Sequence, residues 1–258
     1  MKVAAIQTMA GTDRAANLAR AETLLAEAKG RGATLAALPE YFACYGDDAT
    51  LAASAAGADE VVARMADAAR RLKMAIVAGG IVRRPKGADR PVNETLLFDE
   101  DGSVVARYRK RKLFAATVNG KRYGEGLWLA PGRNVTVAEQ AGWRIGLATC
   151  FDLRFPAHFA RLRAKGATLI VAPSAFTAAT GRAHWAPLVT ARAIETQSYV
   201  VAPALAGTSQ GRAVHGHTMI VDPWGKAETL EDREGMLLAT LSASRIEKTR
   251  TTIPMGIE

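Results

Sequence analysis

A chain of 258 residues, 49% of them hydrophobic and 23% charged, can close one substantial core, so a single domain spanning 1–258 is the expectation. The start, MKVAAIQTMAG, lacks a basic region followed by a long apolar core, and no stretch is apolar for long enough to span a bilayer; the expectation is a cytoplasmic protein with no membrane partner. The 34 Lys and Arg exceed the 25 Asp and Glu by nine, a balance that suits nucleic acid, a membrane surface or an anionic substrate, but most of the excess is dispersed along the chain.

The first β-rich run is Lys2–Gln7. Leu18, Ala21, Leu25 and Ala28 then follow the spacing of one helix face, and a short run over 34–38 reads as the next strand. Val61, Met65, Ala68 and Leu72 repeat the helical spacing, followed by strand-like runs at 74–82, 94–99 and 103–108. Glu100-Asp101-Gly102 reads as a hairpin turn between the last two, which makes the sheet mixed. Two more runs, 134–138 and 143–149, precede a helix that opens near Pro156 and buries Phe155, Phe159 and Leu162. The last β-rich runs are 168–172, 199–204 and 218–221. Residues 28–35 (AKGRGATL) lead to Pro39, and residues 164–169 (AKGATL) lead to Pro173; each is a helix end, a glycine stop, a strand and a proline. That echo predicts two similar sheets flanked by helices, a four-layer α-β-β-α sandwich of α/β class with two mixed sheets.

Two cysteines, Cys44 and Cys150, sit in dissimilar contexts, which suits free thiols in a reducing compartment better than a bridge. In the stretch LATCFDLRFP, Cys150 stands where a strand ends and a helix is about to begin. Backbone N–H groups and a helix dipole at such a corner lower a thiol's pKa, although a cysteine ending a buried strand is also an ordinary small hydrophobe. Of the four histidines, His158 lies on the following helix and points away, while His215 and His217 alternate along a strand with no third ligand, so neither a Cys-His pair nor a metal site is indicated. Glu40 and Lys110 each end a predicted strand, where helix-flanked sheets place their sites, and each alone also reads as a solvated loop residue. The run RYRKRK (107–112) taken alone resembles a nucleic-acid or nuclear-targeting patch.

Taken together, LPEYF, YRKRKLF and CFDLRFP in this order resemble the three signatures of the nitrilase, or carbon-nitrogen hydrolase, superfamily. The resemblance continues through AAIQ near the start, YGEGLWLAPG at 123–132, PSAFTAATGRAHW at 173–185, ARAIETQ at 191–197 and VDPWG at 221–225, and is greatest towards the branch of amidases related to omega-amidase.

The resemblance implies Cys150 as nucleophile, Glu40 as general base, Lys110 as oxyanion stabiliser and Glu125 as a second active-site carboxylate. It implies a small linear amide cleaved to acid and ammonia through a cysteine thioester, with no cofactor and no metal. Lys110→Ala is expected to cost activity while leaving the fold intact. The lysine of RYRKRK then points inward with Arg109 and Arg111 on the other face, and no nucleic-acid partner is expected. Residues 49–57 and 114–123 become loops over the pocket, and a homodimer or larger homo-oligomer follows from resemblance alone. The chain departs from the pattern at Lys112, where relatives carry His, at Phe151 for Tyr, at Ala157 for an acidic residue and at Ala186 for Glu. Lys112, Phe151, Arg154 and Phe176 are the expected substrate-binding residues, and the charges on Lys112 and Arg154 suggest a substrate that bears a carboxylate; Arg154 could instead pair with Asp152 and hold the corner. The alternatives are an N-carbamoyl-amide or nitrile hydrolase of the same superfamily, or a catalytically silent scaffold or nucleic-acid-binding protein.

Overall fold

Alternate residues of the first strand face two different cores, and this sets how the layers stack. In β1 (Lys2–Gln7), Ala4 and Ile6 pack with the helix residues Leu18 and Leu25, whereas Val3 and Ala5 pack with Ile145 and Leu147 of a second sheet. The structure, a computed structural model, describes residues 1–118 and 120–256.

After β1 come α1 (Arg14–Gly30), β2 (Leu35–Ala37), α2 (Asp48–Ala53), α3 (Ala58–Leu72), β3 (Ala75–Arg83), β4 (Val92–Phe98) and β5 (Val104–Arg109). A hairpin of β6 (Ala115–Val118) and β7 (Lys121–Gly124) follows, then β8 (Val137–Gln140), β9 (Trp143–Leu147), α4 (Pro156–Ala164), β10 (Leu169–Val171), α5 (Ala178–Thr196) and β11 (Tyr199–Ala202). The chain continues through β12 (Ala206–Ser209), β13 (Arg212–His215), β14 (Met219–Val221), β15 (Ala227–Thr229), β16 (Gly235–Thr240) and α6 (Ala243–Thr252). One six-stranded sheet runs β16-β1-β2-β3-β4-β5 and the other β15-β14-β11-β10-β9-β8. Both are mixed: β1, β2 and β3 are parallel, as are β9, β10 and β11, with antiparallel strands outside them. Leu35, Ala37, Val77 and Leu97 of the first sheet meet Leu169, Val171 and Val201 of the second, while Phe159, Trp185 and Val189 of α4 and α5 cover the second sheet's outer face. This is the expected four-layer α-β-β-α sandwich.

The sequence echo has a physical basis. Gly32 and Gly166 both take the left-handed conformation (φ +83° and +81°) that ends α1 and α4. In each copy the next residue donates back into the helix, Ala33 N to Ala28 O and Ala167 N to Leu162 O, before the chain enters the middle strand of its sheet.

Three expectations need correction. Residues 49–57 do not form a loop; Asp47 caps α2 by accepting from Thr50 N, and a 3-10 turn (Ser54–Gly57) follows. Residues 114–123 contain the β6-β7 hairpin, with Asn119 lying outside the described residues. The edge strand β16, which pairs antiparallel with all of β1, lies beyond the last predicted strand. Among the described residues no helix is long and apolar enough to cross a membrane.

Candidate active site

Glu40 is placed by two glycines on the neighbouring strand. After β2, Leu38-Pro39 carries the chain past the end of the parallel strands, and β3 makes room with a register shift between Ala78 and Ile81. A side chain on Gly80 (φ +64°) would stand 2.4 Å from Glu40 Cγ, and one on Gly79 would stand 2.1 Å from Pro173 Cβ. Only glycine lets β3 pass this close beneath both sheet ends.

Lys110 follows β5 directly, held at both ends of its peptide by Lys110 N donating to Asn93 O and Gly132 N donating to Lys110 O. Its buried Nζ lies 2.9 Å from Glu40 Oε1 and 2.8 Å from Glu125 Oε2. Glu125 opens a 3-10 turn and accepts from Tyr41 Oη at 2.7 Å and from Phe114 N at 2.7 Å. Glu40 accepts in addition from Asn93 Nδ2 at 2.8 Å and from Ala175 N at 3.0 Å. Every carboxylate oxygen here therefore has a donor, the condition for keeping two acids and one ammonium away from water.

Cys150 begins a five-residue 3-10 turn with φ +48°, its N–H held by Pro173 O at 2.9 Å. Its thiol lies close enough to the Glu40 carboxyl and the Ala175 N–H for both to act on its proton affinity. Glu40, Lys110, Glu125 and Cys150 line one cavity of about 570 Å³, its mouth included, as do Phe151, Arg154 and Phe176. Lys112 does not line it; its Nζ sits 4.6 Å over the Phe155 ring.

The electrostatics correct one expectation. The turn stands between Cys150 and the start of α4 at Pro156, so the sulfur does not sit on the helix N-terminus. Burial, and then the charge of Glu40, push the thiol well above its ordinary value, against the opposing pull of Lys110 and the Ala175 N–H. Burial likewise raises Glu40, with Lys110 countering it. For Lys110, burial disfavours the ammonium, but Glu125, Glu40 and the thiol together outweigh it and hold the lysine well above its usual range. The resting site is thus a neutral thiol beside a carboxylate of raised proton affinity and a fixed cation.

The remaining sequence candidates sort cleanly. Arg154 does not pair with Asp152: its Nη1 lies 3.2 Å from His184 Nδ1, and its guanidinium lies 5.3 Å from the Phe176 ring and 5.9 Å from Phe151. The basic run is engaged within the fold, with Arg107 and Arg109 on the buried Glu94 and Arg111 on His158 Nδ1. His215 and His217 stack at 4.2 Å, and among the described residues no group of three His, Cys, Asp or Glu could hold a metal. Cys44 lies outside this cavity, half-buried, with Sγ 3.8 Å from Thr12 O. Sequence reasoning missed Tyr41, Asn93, Asp48 and Arg212. Tyr41 could have been flagged by its place beside Glu40; Arg212 carries no local signal, because its partner Asp48 is 164 residues away.

Known proteins resemble this chain in sequence and in fold. A model of the family "Carbon-nitrogen hydrolase" matches residues 2–251. A deaminated glutathione amidase of Synechocystis is 35% identical over 259 residues, covering 97% of this chain and 95% of that protein. The chloroplastic omega-amidase of Arabidopsis thaliana is 32% identical over 254 residues, covering 95% of this chain and 68% of the relative. The crystal structure of the C. elegans NitFhit protein superposes with a TM-score of 0.92 at 33% identity over 98% of this chain, which spans 63% of that longer protein.

Proposed function

The chain belongs to the carbon-nitrogen hydrolase family and is a hydrolase of amides; within that class we propose that it cleaves a small linear amide carrying a carboxylate, through a thioester on Cys150. In this reading Glu40 takes the thiol proton as sulfur attacks the amide carbon, so the thiolate need never persist at its raised pKa. The oxyanion is met by Lys110 Nζ, which two carboxylates hold in place before substrate arrives, and by a backbone N–H of the turn after Cys150. Collapse of the tetrahedral intermediate breaks the C–N bond, and the Glu40 proton leaves with the nitrogen as ammonia. Water activated by the same carboxylate then adds to the thioester, the C–S bond breaks, and acid and free thiol are restored.

The observation that carries the reading is the single cavity in which a buried lysine bridges Glu40 and Glu125 beside the Cys150 thiol. The carboxylate preference rests on Arg154, which lines that cavity and has no carboxylate partner among the described residues. Both relatives named as amidases fit this reading by their names alone. Ammonia release from matched pairs of amides, one member ending in a carboxylate and the other in a methyl group, tests it, with nitriles and N-carbamoyl compounds as further arms and Cys150→Ala as blank. The expected result is turnover of the acidic amide, at least ~10-fold above its neutral analogue in kcat/KM. Equal turnover of the pair, or faster release from a nitrile, would overturn the proposal.

A further inference from the structure

The apolar layer between the two sheets ends, on the side of the site, in a pair of hydroxyls. Along β4, Asn93, Thr95 and Leu97 alternate onto the face that meets the second sheet: Leu97 packs in the same apolar cluster as Leu147, and Asn93 donates to Glu40. Between them Thr95 Oγ1 shares a 2.9 Å hydrogen bond with Thr149 Oγ1, and both residues are fully buried. Thr149 stands two residues beyond Leu147, the end of β9, and immediately before Cys150.

Each hydroxyl also meets the backbone that carries one member of the Glu40–Cys150 pair. Thr95 Oγ1 accepts from Gly80 N at 3.4 Å; Gly80 O in turn accepts from Tyr41 N at 3.2 Å, and a side chain on Gly80 would stand 2.4 Å from Glu40 Cγ. Thr149 caps the turn that opens at Cys150, its side chain accepting from Asp152 N. A separate route from Glu40 to Cys150 runs through residues 173–175, where Ala175 N donates to Glu40 Oε2 and Pro173 O accepts from Cys150 N. The two threonines thus close a ring of contacts around the pair. A buried neutral hydrogen bond adds little net stability over an apolar pair of the same shape, but it fixes the separation and direction of the two atoms that share it.

We propose that Thr95 and Thr149 are positioning residues, which hold the Glu40 carboxyl in register with the Cys150 sulfur through their shared hydrogen bond. The inference rests on the amidase reading above, in which Glu40 serves Cys150 as base, and deepens it. Neither threonine lines the cavity, so the effect of losing the contact falls on the chemical step and not on substrate binding. A shift of about 1 Å between reacting groups can cost up to ~100-fold in rate.

Thr149→Val keeps the shape and removes the hydroxyl, while Asp152 N retains the Thr149 carbonyl as acceptor at 3.0 Å. Its kcat for ammonia release is expected to fall ~10-fold with KM within about 2-fold of the parent's, and Thr149→Ser, which keeps the hydroxyl, to recover most of the loss. A merely structural role would not move the second readout, the pH midpoint for alkylation of Cys150 by iodoacetamide, in a way that depends on Glu40. Burial and then the charge of Glu40 raise this thiol; Lys110, Arg154, Tyr41 and Tyr45 are the other titratable groups that interact with it, and Thr149→Val alters none of them. Once Glu40 is free to move off the sulfur, the midpoint should fall part of the way towards that of Glu40→Gln, and in the Glu40→Gln background Thr149→Val should move it no further. The parent's kcat in Thr149→Val, a Thr149→Ser variant as slow as Thr149→Val, or the lack of a Glu40-dependent shift in the midpoint would overturn the proposal. Should Thr149→Val not fold, Thr149→Ala set against Thr149→Ser carries the same two readouts. If the parent turns over no amide, the amidase reading fails separately, and the alkylation cycle, which needs no substrate, decides the positioning role by itself.

Discussion

Tyr108 Oη donates a 2.6 Å hydrogen bond to Asp152 Oδ2, and this contact joins the strand that leads to Lys110 with the turn that begins at Cys150. The same buried carboxylate accepts from Thr149 N at 2.9 Å and from Lys112 N at 3.0 Å, so the residue before Cys150 and the residue two after Lys110 converge on one side chain. Asp152 thus ties the segment that carries Lys110 to the turn that carries Cys150 without itself lining the cavity. In Asp152→Asn the amide cannot accept at both oxygens, and one buried N–H loses its partner. The expected cost is about 1–3 kcal/mol of stability, with a fall in kcat at little change in KM; Tyr108→Phe loses one bond and about 1 kcal/mol. Urea unfolding and steady-state rates on both variants check this, and Asp152→Asn with the parent's kcat would remove the positioning role.

How much of this could be read from the sequence depended on whether the signal was local. Cys150, Glu40 and Lys110 each end a strand and sit in short ordered motifs, so their convergence at one end of the two sheets followed from fold and resemblance together. The core strands were legible because runs such as AIVAGG and LIVA have buried positions on both faces. The hairpins were not: β6, β7, β12 and β13 are four residues each, with short polar or alanine-rich runs that carry little periodicity. Asp47 before α2 was a cap signal that went unread in an alanine-rich stretch. Arg154 could be flagged as charged and near the thiol, but its placement against Phe176 and against His184 of α5, instead of Asp152, is a long-range arrangement that local sequence does not encode.

Lys110→Ala should do more than slow the reaction. Loss of an oxyanion donor lowers kcat by about 10²–10³-fold. The lysine is also the counter-charge for Glu40 and Glu125, so its removal leaves two buried carboxylates facing each other and costs about 3 kcal/mol of stability. The variant is therefore expected to be destabilised as well as slow. Adding Glu125→Gln relieves the repulsion, and the double variant is expected to regain stability but not turnover. Thermal unfolding and ammonia release separate the two effects; a double variant as unstable as Lys110→Ala would disprove the electrostatic account.

Glu40 acts on Cys150 in two opposed ways, and pH separates them. Its negative charge raises the thiol pKa, yet its raised proton affinity suits it to the proposed role of base towards the thiol. In Glu40→Gln the charge is gone, so the midpoint for alkylation by iodoacetamide should fall from the parent's. Amide turnover should be lost at every pH. In the parent the acid limb of kcat/KM should lie above the ordinary carboxylate value of 4.5, since Glu40 must be deprotonated to act. An alkylation midpoint that rises in Glu40→Gln would contradict the charge assignment.

His158 offers a pH test of the fold apart from the chemistry. It is buried in α4, with Nε2 placed to donate to Leu147 O at 3.3 Å and Nδ1 to accept from Arg111 Nη1 at 3.0 Å, which is the pairing of a neutral ring. Burial lowers its pKa from 6.5 to about 4, and the nearby Arg111 and Arg161 act in the same direction. The unfolded chain therefore binds a proton near pH 6.5 that the folded chain refuses until about pH 4. Stability contributed by the neutral ring is complete above pH 6.5 and is lost as the pH falls between those two values, by about 3 kcal/mol at most. His158→Gln keeps one donor and one acceptor but cannot titrate. Unfolding free energies at pH 7.5 and pH 4.5 should show the parent losing about 2 kcal/mol more than His158→Gln across that interval, and equal losses would mean that the ring is already charged in the folded protein.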